Sequence, residues 1–281
     1  EMLLHPVDTL FVPAHTLPLI GGKRNIVTVH GLEYEVSPKS YGWLERLYMR
    51  ISIRYSCLKA DTIIAVSENT KKDLIRLYGV LESKIVVVGE GFVEKKYESN
   101  SKHQTGIPYL LFIGRIEERK NVVRIIEAFE ILKERYQIPH QLILVGKKGH
   151  GYEQVRRRIF SSRFRNEIQE RGYVGEEEKL TLLENAGVFI FPSLYEGFGL
   201  PVLEAQAASV PVVTSQSSSL PEVGGEGAIY VDSTSSEGIA EGIYKTLQMD
   251  EAEKTILQEK MKKNLDRFSW SRCASEIKEL F

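Results

Sequence analysis

A chain of 281 residues exceeds a typical single domain, and at about 150 residues per domain it implies two, with cores large enough to need no staples. With 42% hydrophobic and 27% charged residues, 22 glycines and only 10 prolines, the composition excludes disordered, collagen-like and miniprotein classes. Lys and Arg number 37 against 38 for Asp and Glu, so the net charge of −1 supplies no global field for nucleic acid or an anionic membrane.

No nucleic-acid partner is therefore expected, and a membrane would need a local patch. Cys57 and Cys273 stand far apart with no C-x-x-C spacing, which points to a reducing, cytoplasmic compartment and away from a disulfide framework or a zinc site. No stretch approaches the roughly 18 apolar residues of a bilayer span, and Glu1-Met2-Leu3-Leu4-His5-Pro6 lacks the charged start and apolar run of a signal peptide. The chain opens on Glu1 and passes almost at once into the apolar run Thr9-Leu10-Phe11-Val12, so it is expected to begin partway through a domain.

Short apolar runs alternate with helical stripes, the pattern of an α/β protein whose parallel sheets are covered on both faces. In the first third, strands are expected at Thr9–Val12, Ile26–Val29, Thr62–Val66 and Ile85–Val88, and a long helix at Tyr41–Leu58. Ser67 is a good N-cap for a further helix, and Gly79 a plausible stop. The polar stretch between Glu94 and Pro108 reads as a linker. Beyond it, strands are expected at Tyr109–Ile113, Leu142–Val145, Val188–Phe191, Val210–Val213 and Ile229–Val231. Helices are expected near Val122–Lys133, Tyr152–Phe160, Glu176–Asn185, Val202–Ala208 and Glu237–Leu247. The tail from Ala252 to Phe281 reads as two helices broken near Ser269.

Two segments carry chemistry. Gly114-Arg115-Ile116-Glu117-Glu118-Arg119-Lys120-Asn121 runs from a strand end to a helix start, where unpaired N–H groups suit a phosphate. Arg115 can offer a planar fork and Lys120 a point charge, enough to neutralise a diphosphate without a metal ion. The bland alternative is a solvated loop in which both pair with Glu117 and Glu118. The second segment, Pro192 to Glu204, places two glycines and Pro201 at a strand-to-helix turn, with Glu196 in the loop and Glu204 about one turn into the helix. Carboxylates there suit sugar hydroxyls, and glycine amides can approach a phosphate. Its bland alternative is an ordinary strand-to-helix turn.

Taken together and in this order, G-R-x4-K-N at Gly114–Asn121 and E-G-F-G-L-P-x-x-E at Glu196–Glu204 resemble the retaining glycosyltransferases of family 4. The run around Asp61–Leu74 is similar to the end of that family's first domain, and Phe268-Ser269-Trp270 to the start of its last helix. The resemblance implies a GT-B fold of two Rossmann-like domains facing a cleft. Residues 1–94 would form an incomplete acceptor-side domain, 95–107 a linker, 108–268 the nucleotide-sugar domain, and 269–281 a helix crossing back to the first domain. The family's glycine-rich opening turn is not found in the chain.

Carried across, the resemblance implies that Arg115 and Lys120, with Gly199 and Leu200, bind the donor diphosphate. His30, Glu196, Gly197, Phe198 and Gly199 would bind the donor sugar, while Glu204 would hold the ribose and Tyr173 and Val174 would lie beside the base. His30, Arg115, Lys120 and Glu196 would be the catalytic set. His30 is followed by Gly31 where the family usually has Asp. The implied reaction moves a hexose from a UDP- or GDP-linked donor to a glycan or lipid-linked hydroxyl with retention, with no metal and no cofactor. Alternatives are a same-fold epimerase or phosphorylase, or a shortened, non-catalytic nucleotide-sugar binder. The stretches Tyr41–Leu58 and Gln154–Arg171, rich in arginine and apolar residues, are candidates for peripheral contact at the inner face of a membrane. The favoured alternative is that the first packs on its own sheet and the second is a solvated helix face.

Overall fold

The structure, a computed structural model, describes residues 7–92 and 106–281. The expected linker residues 95–105 lie outside them. The chain divides into two compact units, one of Glu1–Gly91, Glu196–Phe198 and Phe268–Phe281, the other of Phe92–Tyr195 and Gly199–Arg267.

The first unit is built on four parallel strands, β1 (Thr9–Val12), β2 (Arg24–Val29), β3 (Thr62–Ala65) and β4 (Ile85–Val87), in the spatial order β1-β2-β3-β4. Successive side chains alternate between its faces. Val27, Val29, Ile63, Ala65 and Ile85 join one apolar cluster, while Ile26, Ile64 and Val88 join another with Cys273 of the last helix, Trp270–Lys278. Apolar runs are continuous in these strands because both faces are covered. At about 2 kcal/mol for each fully buried aliphatic side chain, this double burial dominates the unit's stability.

Helices α1 (Glu33–Val36), α2 (Trp43–Lys59) and α3 (Glu68–Tyr78) complete the unit. Ser67 caps α3 by accepting a hydrogen bond from the Thr70 N–H at 3.0 Å, and Gly79 ends it in the left-handed region at φ 65°. In α2, Ser52, Ile53, Ser56 and Cys57 form the buried stripe, and Ser56 Oγ accepts from the Leu17 N–H at 2.9 Å.

The second unit holds six parallel strands: β5 (Tyr109–Ile113), β6 (Gln141–Val145), β7 (Ile168–Gly172), β8 (Val188–Phe191), β9 (Val212–Ser215) and β10 (Ile229–Val231). Their spatial order is β10-β9-β8-β5-β6-β7. Its helices are α4 (Val122–Tyr136), α5 (Tyr152–Ser161), α6 (Glu176–Glu184), α7 (Leu200–Ala207), α8 (Leu220–Gly224), α9 (Ser236–Leu247) and α10 (Glu251–Leu265). Val122, Ile125, Ile126, Phe129 and Leu132 of α4 are buried together with the strand residues of β5, β6 and β8.

One strand was not expected, and two expectations are corrected. Strand β7 is an edge strand in which only Ile168 is buried, so its sequence Ile-Gln-Glu-Arg-Gly carries no apolar pattern. The arginine-rich stretch Gln154–Arg171 is consequently not one helix face: α5 ends at Ser161 and the chain turns through residues 165–167 into β7. Strand β9 begins two residues later than expected and includes Thr214 and Ser215, buried because their hydroxyls donate to the Phe191 and Ser193 carbonyls at 2.8 and 2.6 Å.

Two glycines of α9 separate packing from propensity. A Cβ on Gly242 would fall 2.3 Å from Val231 Cγ1, whereas one on Gly238 would meet nothing closer than Ser235 at 3.4 Å. Gly242→Ala is expected to lose about 1–3 kcal/mol by overpacking, and Gly238→Ala to be neutral or to gain up to about 1 kcal/mol of helix propensity. Urea unfolding of the two variants checks this, and equal responses would contradict the packing described.

Candidate functional site

In the second unit the strand order reverses between β5 and β8, and ligands of open parallel sheets bind at the carboxyl ends of strands flanking such a reversal. Both chemistry-bearing segments start there, Gly114–Asn121 after β5 and Pro192–Gly199 after β8. They are hydrogen-bonded to each other. The Leu194 N–H donates to the Arg119 carbonyl at 2.9 Å, Arg119 Nη1 donates to the Tyr195 carbonyl at 2.8 Å, and Asn121 Nδ2 donates to the Pro192 carbonyl at 3.1 Å. Asn121 also donates to the Ser233 carbonyl at 2.7 Å, and adopts φ 63°, a conformation that Asn tolerates better than most residues. Arg119 pairs with Glu117 at 2.8 Å, both side chains being largely buried.

Arg119 and Asn121 are thus the residues that lock the two loops. Sequence reasoning weighed the charges of Arg115 and Lys120 and assigned these two nothing; the one available signal was an Asn placed directly before a helix.

Beside this lock, the ends of β5, β6 and β7 open into a cavity of about 560 Å³. The strand ends crowd so closely that a Cβ on Gly146, at φ 147°, would lie 1.8 Å from the Gly114 carbonyl oxygen. Among the described residues, Arg115, Lys147, Lys148 and Lys179 line the cavity with one carboxylate, Glu176, a strongly cationic wall. Arg115 is largely exposed and its contact with Glu117 is 3.7 Å, a loose pair worth little in water. Tyr173 and Val174 line the same cavity, with Lys147 Nζ 4.9 Å from the Tyr173 ring centroid. Lys147 and Lys148 were also overlooked in the sequence; they follow β6 directly, at its carboxyl end.

Glu204 reaches this wall through Lys179. Lys179 Nζ donates to Glu204 at 2.9 Å and lies 3.3 Å from Glu176. Burial alone would pull the Lys179 ammonium down, but the two carboxylates more than reverse this and hold it above its ordinary value. Gly199, at φ 129°, and Leu200 open α7, the helix that carries Glu204. A Cβ on Gly199 would lie 3.0 Å from Leu220 Cδ2. Lys120 does not line this cavity: it is buried, with its ammonium 4.8 Å from the centroid of the Phe191 ring.

The remaining expected residues fall in the first unit. His30 follows β2, and a Cβ on Gly197 would lie 1.8 Å from the His30 carbonyl oxygen, so these two are neighbours. The Gly197 carbonyl accepts from Ser67 Oγ at 2.7 Å, Phe198 packs edge-on against Phe268, and Glu196 is buried. His30 Nδ1 meets Glu90 at 2.6 Å and Nε2 meets the Pro13 carbonyl at 2.9 Å. The Pro13 carbonyl can only accept, so Nε2 is the donor to it, and the carboxylate facing Nδ1 favours the protonated ring. The Glu90 hydrogen bond, with further help from the Pro13 carbonyl and Glu33, raises the His30 pKa despite partial burial. His15, its ring 5.4 Å away, is pushed down to about 4, mainly by burial and further by the charge of His30, and its Nδ1 has no hydrogen-bond partner among the described residues.

Comparison with known proteins places both sequence segments in context. The family model described as Glycosyl transferases group 1 matches residues 93–267, and Glycosyltransferase Family 4 matches residues 5–93. The O-antigen chain mannosyltransferase B of Escherichia coli is 29% identical over 263 residues, covering 90% of this chain and 69% of that protein. The O-antigen chain mannosyltransferase RfbU of Salmonella typhimurium is 24% identical over 243 residues, covering 85% of this chain and 64% of that protein. The chain thus spans about two thirds of the length of these relatives. The crystal structure of Anabaena HepE in complex with UDP and glucose superposes with a TM-score of 0.77 at 19% identity, over 92% of this chain and 71% of that one. That likeness shows the fold, GT-B.

The two histidines are expected to titrate on opposite sides of the ordinary value of 6.5. His30 favours folding fully below that value, and its contribution is lost as pH rises through its raised folded pKa. His15 acts in reverse: the unfolded chain takes its proton first, so stability is lost as pH falls from 6.5 towards 4. Ring-proton NMR titration should show one resonance moving above pH 6.5 and one well below it, and Glu90→Gln should lower only the former. Two coincident titrations near 6.5 would refute the assignment.

Proposed function

The chain belongs to the glycosyl transferases group 1 family, and we propose that it transfers a hexose from a UDP- or GDP-linked donor to a hydroxyl of a glycan or lipid-linked acceptor in polysaccharide biosynthesis. Mannose is the first choice of sugar, since two of the relatives are mannosyltransferases. The observation that carries this reading is the cationic cavity beside the reversal of strand order, lined by Arg115, Lys179 and the Tyr173–Val174 surface, with Glu204 tied to it by its ion pair with Lys179.

In the proposed reaction the bond between the anomeric carbon and the diphosphate breaks, leaving positive charge on the sugar and negative charge on the nucleotide. Arg115 and its neighbouring lysines meet the leaving-group charge, with no metal needed, and fixed cations of this kind act most strongly where water is excluded. Glu204 holds the ribose, and Tyr173 and Val174 offer a flat and an apolar surface to the base. Lys120 supports the diphosphate from its buried position, and the start of α7 at Gly199 and Leu200 lies against the phosphates. His30, Glu196, Gly197 and Phe198 hold the donor sugar. The acceptor hydroxyl attacks the face that the diphosphate leaves, configuration is retained, and the departing phosphate takes the hydroxyl proton.

Donor hydrolysis and transfer, measured with UDP-glucose and GDP-mannose alongside nucleotide-induced thermal shifts, test the reading. Arg115→Ala should lower turnover about 100-fold, the scale of removing one preorganised charge-stabilising donor, while leaving the unfolding midpoint unchanged because the side chain is exposed. Lys120→Ala should abolish turnover and also lower the midpoint, because this ammonium is buried. Thermal shifts without turnover would instead support a non-catalytic nucleotide-sugar binder. No response to any nucleotide would end the proposal.

A further inference from the structure

Helix α2 has a buried stripe and, on the opposite side, an exposed apolar one. One side is the stripe buried on the first sheet. On the other, Leu44, Leu47, Ile51 and Leu58 share an arc of about 60° at 3.6 residues per turn. They are 62%, 48%, 60% and 74% exposed. Trp43 and Tyr48 stand at the margins of this arc, also exposed. Tyr55, on the same side, donates its hydroxyl to the Leu19 carbonyl at 3.2 Å, holding beside the helix a loop whose Leu19 is 88% exposed. Single exposed apolar residues need no explanation, but a continuous set across a helix and its neighbouring loop marks a surface that is covered in use.

Charge identifies what covers it. The helix carries Arg46, Arg50, Arg54 and Lys59 against one acid, Glu45. At helical spacing Arg50 and Arg54 run along one margin of the apolar arc and Lys59 along the other, while Glu45 falls outside it. Arg50 is paired to Glu35 at 2.7 Å and still stands 53% exposed. A second copy seated on this face by a two-fold axis would bring these like charges together, whereas an anionic surface would meet them. We propose that α2 and the Leu19 loop lie in the interface of an anionic membrane. The leucines and Ile51 enter the boundary between headgroups and acyl chains, Trp43 and Tyr48 sit at headgroup level, and Arg50 and Arg54 face lipid phosphates, while Arg46 stays paired with Glu35. The proposal rests on this surface alone and does not depend on the transfer reading.

Co-sedimentation of the full chain with phosphatidylcholine vesicles, with and without phosphatidylglycerol, tests it at low and high salt. Binding is expected only with phosphatidylglycerol, to weaken with salt, and to fall about tenfold or more in Leu47→Glu/Ile51→Glu. Both replaced side chains are exposed, so the unfolding midpoint and the nucleotide-induced shift of the variant should match those of the parent chain. This separates failure here from failure of the donor reading. No binding to either vesicle, equal binding to both, or unchanged binding by the double variant would each overturn the proposal. So would a concentration-dependent dimer that the double variant dissociates, which would assign the face to a second copy.

Discussion

The second unit depends on one lock, the hydrogen bonding of the loop after β5 to the loop after β8 where the strand order reverses. The two loops are distant in sequence and become neighbours because β5 and β8 pair directly. Arg119 and Asn121 then convert adjacency into a fixed geometry by donating to the carbonyls of Tyr195 and Pro192. The relative burial of the two ion pairs made by Glu117 decides which is structural. Removing one partner of a buried pair typically costs about 3–5 kcal/mol, the regime of Arg119 with Glu117. The exposed contact of Arg115 with the same acid belongs to the class worth about 0–1 kcal/mol. Arg119 is therefore committed to holding the loops, and Arg115 remains available to a ligand.

That division of labour accounts for the electrostatics of the cavity. Among the described residues, four cationic side chains and one acid line it, at strand ends that are themselves brought together by glycine. Only a residue without a side chain allows the Gly114 carbonyl to approach as it does at Gly146, and the close approach sets Arg115 and Lys147 on one wall. Lys179 bridges Glu176 and Glu204 and so ties the wall to α7. A site with this excess of positive charge favours an anion of more than one charge.

In the first unit the packing around His15 and His30 shifts their pKa values in opposite directions at close range. The Glu90 hydrogen bond favours the protonated form of His30, and the charge of that form adds to the burial that favours neutral His15. Helix α2 is likewise divided, one side committed to the sheet and the other left apolar and bordered by arginines. The stripe that faces the core, Ser52, Ile53, Ser56 and Cys57, is less apolar than the outward stripe of Leu44, Leu47, Ile51 and Leu58, so hydrophobicity alone would assign the wrong side to the core.

Local chemistry was enough to determine the α/β class, the parallel sheets and most element positions. Short apolar runs such as Val188–Phe191 and stripes such as Val122–Leu132 have only one stable periodicity, and the cap at Ser67 and the stop at Gly79 act within a single turn. The two chemistry-bearing segments were legible for the same reason, as glycines, acids and cations clustered between a strand and a helix. Tertiary structure alone decided the rest. Strand β7 exists because β6 offers it an edge, since its own residues are polar, and Thr214 and Ser215 are strand residues because carbonyls of neighbouring segments accept from their hydroxyls. The roles of Arg119, Asn121, Lys147 and Lys179 depend on partners between 25 and 112 positions away or on a cavity wall shared by three strand ends. No local pattern encodes such a partner, because a side chain's charge is written in the sequence while the distance over which it acts is set only when the sheets close.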